Sequence, residues 1–143
     1  MRYFFLLSIC LLTACADARA PQNAIPKSII QEHVRAFNAG DVEAMAKMQH
    51  PDIEWLSVTG KQVSVQVAGR EALAKNMTAY FESPTRVTGT LQGWSVNLPF
   101  LSVTETARWT AKDGTKKSQK SLTVYELEDN LIRRVWYYPA VDN

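Results

Sequence analysis

Cysteine is nearly absent from this sequence, and the two that occur, Cys10 and Cys15, both lie near its beginning. The rest of the chain has no thiol for a disulfide, a thiolate-bound metal or a cysteine nucleophile. His50 and Asp52 form the one tempting pair, as metal ligands or as a catalytic His–Asp, but a closed metal site takes three or four ligands. The favoured interpretation is a turn that Asp52 caps, with His50 facing solvent. We expect no metal and no cofactor.

A strong excess of either charge is also lacking. The formal net charge is +2, whereas a nucleic-acid-binding domain needs a basic patch or stripe. The chain has no internal repeat and no low-complexity run. Its 143 residues, 46% hydrophobic and 21% charged, fit one globular domain of ordinary size.

The apolar run near the N-terminus, Tyr3 to Leu12, is too short to cross a bilayer as a helix, which takes ~20 residues. It follows Arg2 and predicts a signal peptide. The stretch "LTAC" at its end resembles the bacterial lipobox. That resemblance implies a signal peptide over 1–14, a lipid on Cys15, and a polar tether over 15–25.

A second cleavage site competes with the first. Ala18-Arg19-Ala20 is a small-x-small pattern that would release a soluble periplasmic or secreted protein. If Cys15 is lipidated, Ala16 after it favours the outer membrane, because inner-membrane retention is associated with Asp there. We expect an exported protein of the cell envelope, anchored to the outer membrane and facing the periplasm.

Three segments have the periodicity of helices. Pro26 opens the first in its first turn, and Gly40 ends it by adopting the left-handed conformation. Asp41 is the expected N-cap of a short second helix. A strand beginning near Pro51 follows, then a loop, and then a third helix over 69–83.

The remainder is rich in β-branched and aromatic residues. Turns at Asp113-Gly114 and Asp129-Asn130 separate its segments. The predicted strands cover 85–98, 100–112, 117–129 and 130–140. Helices on one face of a mainly antiparallel sheet make an α+β domain, which we expect over 26–141.

The order of these elements is similar to that of the NTF2-like superfamily, and its SnoaL-like group is the nearest match. The resemblance rests on "AFNAGDVEAM", "HPDIEW", "AGREAL" and "VYELEDNLIRRVWYYP". It implies a strongly bent sheet whose concave side, closed by three helices, forms a cone-shaped pocket, and whose convex side often makes a dimer. The superfamily contains steroid isomerases, polyketide cyclases and many non-enzymes, so the fold alone does not decide the function.

Ketosteroid isomerase chemistry needs a carboxylate base and an oxyanion hole of a Tyr and a protonated Asp. Alignment with that pattern places His33 at the Tyr, Trp55 at the base and Thr123 at the Asp. An indole does not abstract a proton, so the resemblance to this enzyme fails at the decisive position.

His33 is the catalytic candidate that remains. It lies on the apolar stripe of the first helix, where the resemblance implies the pocket, and a histidine can titrate near neutrality. The alternative is a core histidine satisfied by its hydrogen bonds.

Aromatic residues on the strands are expected to line an apolar pocket and to offer it a few polar N–H and O–H groups. Glu105 would be a pocket acid if it faces inward with Trp109, but strand alternation alone does not choose its face. The predicted pocket residues are Trp55, Tyr80, Trp94, Trp109, Thr123, Tyr125 and Trp136.

We therefore expect a domain that binds a small, partly apolar molecule and forms a homodimer. One alternative is an isomerase, lyase or hydrolase that uses His33 as acid or base. Another is a non-catalytic dimeric interaction module. The basic run 112–120 is interpreted as solvated edge protection or as a contact for anionic lipid headgroups.

Overall fold

The computed structural model describes residues 24–142. Its helices are α1 Ala24–Ala39, α2 Val42–Lys47 and α3 Arg70–Phe81. None of the helices in this range is long and apolar enough to cross a membrane. The predicted signal peptide, Cys15 and the tether up to residue 23 lie outside the described residues.

The junction of α1 and α2 is built as its sequence predicts. Gly40 takes φ +73°, a conformation that glycine adopts at little cost, and its N–H donates to the Phe37 carbonyl at 2.9 Å. The Asp41 carboxylate then accepts a hydrogen bond from Ala44 N at 2.9 Å and caps α2. The chain thus reverses within two residues.

The strands form one sheet in the order β2-β1-β6-β5-β4-β3, with β7 paired to β5. Among the described strands, β1 and β6 are the one parallel pair, and the other pairs are antiparallel. The predicted α+β class with a curved, mainly antiparallel sheet packed against helices is confirmed. The strands are β1 Gln49–Thr59, β2 Gln62–Ala68, β3 Thr88–Asn97, β4 Phe100–Thr110, β5 Lys116–Glu128, β6 Leu131–Tyr137 and β7 Val141–Asp142.

The loop expected between the first strand and the third helix is wrong, because β2 occupies it. Gly60, with φ +60°, turns the chain so that β2 pairs with β1, and Val65 stands opposite Leu56. Val63, Val65 and Val67 alternate with polar residues, which is a strand pattern. Val63 and Val65 remain 57% and 52% exposed, since β2 is an edge strand.

The core lies between the helices and one face of the sheet. Ile30 of α1 and Leu73 of α3 pack in one cluster with Leu101, Tyr125 and Val135 of the sheet, and each of these is at most 1% exposed. These three strand residues stand in register with one another. They therefore define the face that the helices cover, and the candidate site lies on that face.

Candidate functional site

A cavity of about 320 Å³ lies between α1, α3 and the covered face of the sheet. Aromatic rings form much of its wall, contributed by Phe37, Trp55, Tyr80, Tyr125 and Tyr137. The rest of the lining consists of His33, Val34, Met77, Val87, Gly89, Glu105 and Ala107. A mostly apolar wall with few polar groups is typical of a small-molecule site.

Glu105 is the acidic residue of this wall, and two hydroxyl groups converge on it. Thr123 Oγ1 and Tyr125 OH each donate to Glu105 Oε2 in long hydrogen bonds of 3.4 Å. The strand register explains the cluster, because Glu105 pairs with Ser121 and the next residues on that face of β5 are Thr123 and Tyr125. Tyr137 of β6 pairs with Thr123, so its ring lies on the same face as Tyr125 and lines the same cavity.

The electrostatics of this cluster follow from its burial. Burial raises the pKa of the Glu105 carboxyl, and the hydrogen bonds from Thr123 and Tyr125 offset part of that rise. Burial, and next the nearby charge of Glu105, raise the pKa of both Tyr125 and Tyr137 well above 10. The two phenols therefore stay protonated at neutral pH as hydrogen-bond donors, beside a carboxyl group that is easier to protonate than usual.

His33 also lines the cavity, but it does not titrate where the sequence led us to expect. The ring is 3% exposed, and burial lowers its pKa to about 4. The side-chain amide of Gln49 donates to His33 Nε2 at 2.9 Å, which requires an unprotonated ring nitrogen. His33 is therefore neutral at physiological pH and is a weak base.

Trp55 stands in the cavity wall. Its ring meets Tyr137 edge to face with centroids 5.7 Å apart. The Nε1 atom is buried and has no hydrogen-bond partner within the described part of the chain. An indole can donate a hydrogen bond through its N–H but has no basic atom. Trp55 can therefore shape the cavity wall and donate one hydrogen bond, but it cannot accept a proton.

The structure brings His33, Trp55, Tyr80 and Tyr125 together among the predicted site residues. Thr123 is fully buried beside the cavity and contacts it through Glu105. The other three predicted pocket residues are not on the lining.

Each of those three tryptophans has a different environment. Trp94 lies 5.9 Å from the Lys27 ammonium. Trp109 lines a separate depression with Thr85 and Gln119. Trp136 packs against Phe100, with centroids 6.1 Å apart, on the face of the sheet opposite the cavity.

Phe37 and Tyr137 are cavity residues that the sequence analysis did not name. Phe37 stands four residues after His33, so the helical stripe that pointed to His33 also contained the signal for Phe37. In "VWYY" the alternation of side chains along a strand does not show whether Trp136 or Tyr137 faces the cavity. The register with Thr123 decides it.

His50 and Asp52 form a turn rather than a site. The N–H of Asp52 donates to His50 Nδ1 at 3.1 Å, so the histidine ring is the cap, and its side chain is only 19% exposed instead of facing solvent. Asp52 is 78% exposed. The described residues contain no group of three or more possible metal ligands.

Comparison with known proteins agrees with this architecture. The model of the SnoaL-like domain family matches residues 30–135. No curated protein sequence matches the chain. Many solved structures are similar in fold, and three of them, each below 20% identical, illustrate the likeness.

TerC, co-crystallised with polyporic acid, is 16% identical with a TM-score of 0.66, and the match covers 84% of this chain and 92% of TerC. The Δ5-3-ketosteroid isomerase of a Mycobacterium species is 18% identical with a TM-score of 0.64, over 83% and 98% of the two chains. A Mycobacterium tuberculosis protein in complex with estradiol-17β-hemisuccinate is 17% identical with a TM-score of 0.63, over 80% and 93%.

Proposed function

Because the chain belongs to the SnoaL-like domain family, we propose that its cavity binds a small, partly apolar molecule through an oxygen held by Tyr125, Tyr137 and Glu105. The observation that carries the proposal is the composition of the wall, in which aromatic and aliphatic side chains surround this one hydroxyl–carboxyl cluster. Structures of similar fold were solved with polyporic acid and with estradiol-17β-hemisuccinate. They support small-molecule binding but not an identity for the ligand.

Calorimetric titration with naphthalene and 2-naphthol tests this proposal, because the two probes differ only in a hydroxyl group. We expect both to bind and 2-naphthol to bind about five-fold tighter, as a buried hydrogen bond contributes about 1 kcal/mol. Tyr125→Phe should remove that preference. Tyr138→Phe, on a tyrosine that is 38% exposed, is the matched control and should retain it. Equal affinities of both probes in the parent protein would contradict the role of the cluster.

A proton-transfer enzyme is the second candidate, and the raised pKa of Glu105 favours it. A carboxyl group with a raised pKa at a cavity wall is a candidate general acid or base. His33 suits that role less well, since its pKa is about 4. If a turnover assay with an enolisable ketone detects activity, Glu105→Gln should abolish it and His33→Gln should leave most of it.

We also propose a homodimer through the sheet face opposite the cavity. Phe100, Leu122 and Tyr138 are 42%, 46% and 38% exposed, and Trp136 lies among them. A contiguous apolar patch of this kind on a soluble domain marks an interaction surface. In sedimentation velocity, Leu122→Glu should convert a dimer to a monomer, whereas Ile25→Glu on exposed α1 should not. A monomeric parent protein would refute the proposal.

Export and lipid anchoring through Cys15 form the last part of the proposal. The support is the "LTAC" pattern after a short apolar run. Intact-mass measurement of protein from its own cell envelope should give a chain beginning at an acylated Cys15. A mature chain beginning at Pro21 would instead indicate a soluble exported protein.

A further inference from the structure

The carboxyl group of Glu105 uses only one of its two oxygens within the described part of the chain. The hydrogen bonds that it accepts there, from Thr123 and Tyr125, both end on Oε2. Trp55 Nε1 is the one fully buried side-chain polar atom without a partner in residues 24–142, so Oε1, which has no partner there either, is not fully buried. Since Glu105 lies in the cavity wall, Oε1 is the oxygen that a ligand can reach.

Gly89 of β3 leaves the space in which this carboxyl group lies. Leu91 pairs with Glu105, and Gly89 is two residues before Leu91, so Gly89 and Glu105 share the covered face of the sheet. A Cβ atom at position 89 would lie 3.1 Å from Glu105 Oε1 and 3.4 Å from Val34 Cγ1. Any residue larger than glycine would therefore push the carboxyl group from its position.

Asn38, in the last turn of α1, holds Gly89 at two points. Its Nδ2 donates to the Gly89 carbonyl at 2.9 Å, and the Gly89 N–H donates to its Oδ1 at 2.7 Å. Because β3 is the last strand of the sheet, these backbone groups have no further strand to pair with, and the Asn38 amide takes its place. The two bonds fix the backbone against which Glu105 rests.

From this arrangement we propose that the ligand carries a hydroxyl group that is hydrogen-bonded to Glu105 Oε1, and that Gly89 and Asn38 are positioning residues for this contact. The inference rests on the proposed function and adds the chemical class of the ligand. That class is a partly apolar hydroxyl compound, such as a phenol or an alcohol, rather than an ether or a simple ketone.

A hydroxyl group fits both protonation states of Glu105. When the carboxyl group is ionised, Oε1 can only accept, so the ligand has to donate. When it is protonated, Oε2 still accepts from two hydroxyl groups, so the proton lies on Oε1 and the ligand oxygen accepts it. An ether or a ketone fits only the second state.

The probes are 2-naphthol and its methyl ether, 2-methoxynaphthalene, because only the naphthol can donate. A third probe, 2-ethylnaphthalene, has the shape of the ether without its oxygen and controls for size. In calorimetric titrations at pH 8 we expect 2-naphthol to bind about five-fold tighter than the ether, which lacks one hydrogen bond. The ether should bind as 2-ethylnaphthalene does. An ether that binds as tightly as 2-naphthol would overturn the inference.

Gly89→Ala tests the positioning of Glu105 with naphthalene and 2-naphthol alone, so the size of a substituent does not affect the result. The variant should lose the preference for 2-naphthol and keep its affinity for naphthalene. Thr88→Val is the control, because the Thr88 side chain lies on the opposite face of the same strand. It should retain the preference.

Asn38→Ala removes both bonds to Gly89 and should also weaken the preference for 2-naphthol, whereas Asn76→Ala on the exposed side of α3 should not. Each variant is first checked for cooperative melting. If Gly89→Ala or Asn38→Ala folds and keeps the full preference, the inference is overturned. If neither folds, the comparison of 2-naphthol with its ether in the parent protein decides.

The outcomes also separate this inference from the proposed function. If 2-naphthol and its ether bind equally, and both bind more tightly than naphthalene, the ligand oxygen only accepts. The proposed function then stands and the inference is wrong. If naphthalene and 2-naphthol bind equally to the parent protein, the role of the cluster in the proposed function is refuted together with the inference.

Discussion

Glu105 is the residue on which the account depends most. Its pKa is raised by burial, so above its unfolded value of about 4.5 the folded state holds a proton that the unfolded state has released. Stability therefore falls as pH rises through the interval between the unfolded pKa and the higher folded one.

The first prediction is that Glu105→Gln raises the melting temperature at pH 8 more than at pH 4. Glutamine still accepts hydrogen bonds from Thr123 and Tyr125 but carries no charge to desolvate. Melting curves across that pH range check it. A variant that is less stable than the parent protein at pH 8 would contradict the buried carboxyl as described.

For His33 we expect stability to depend on pH in the opposite direction, so that it rises with pH. Its folded pKa of about 4 lies below the ordinary 6.5, so its contribution is complete above pH 6.5 and is lost as pH falls toward 4. A shift of this size corresponds to roughly 3 kcal/mol in the free energy of unfolding. His33→Gln, which leaves Gln49 a hydrogen-bonding partner, should flatten the loss of stability between pH 6.5 and 4 in urea denaturation. An unchanged slope would show that His33 titrates freely.

Some of the residues at the cavity could be predicted from the sequence, and others could not. Helical spacing was enough to bring His33 and Tyr80 to the cavity, because a helix fixes which side chains share a face. The faces of Trp94, Trp109 and Trp136 depend on strand register and bulges, which no local pattern contains. The pKa of His33 depends on its burial and partner, which appear only after folding.

Among the elements, the α1–α2 junction tests how local chemistry fixes the fold. Asp41→Ala removes the side-chain cap of α2 and should lower the free energy of unfolding by about 1 kcal/mol. Asp41→Asn caps equally well and should stay near the parent value in denaturant titrations. If the two variants are equally stable, the hydrogen bond to Ala44 does not support α2.

The elements with strong local signals were predicted, including the junction at Gly40 and the turn at Asp129-Asn130. Both turn residues have positive φ, 51° and 60°, as a tight β-hairpin requires. Strand β2 was missed although Val63, Val65 and Val67 alternate with polar residues, because so short a run between two glycines does not show whether it pairs with another strand. Its place beside β1 comes from pairing, which is a tertiary property.

In the whole molecule, the two faces of the sheet divide the functions that we propose. The face covered by the helices has the aromatic cavity with Glu105, and the opposite face has Phe100, Leu122 and Trp136. The α+β class could be predicted from the order of elements, and the bent sheet from the resemblance to the NTF2-like superfamily. The size of the cavity could not, since it depends on how residues far apart in sequence pack.

If the cavity is a binding site for small molecules, filling it with a larger side chain should abolish binding. Ala107 lines the wall, so Ala107→Phe should occupy the space that a ligand needs, while Ala72→Phe adds the same ring on the exposed side of α3. Calorimetric titration with 2-naphthol should show binding to the parent protein and to Ala72→Phe, and at least a ten-fold loss in Ala107→Phe that still melts cooperatively. Equal affinity in all three proteins would contradict the account.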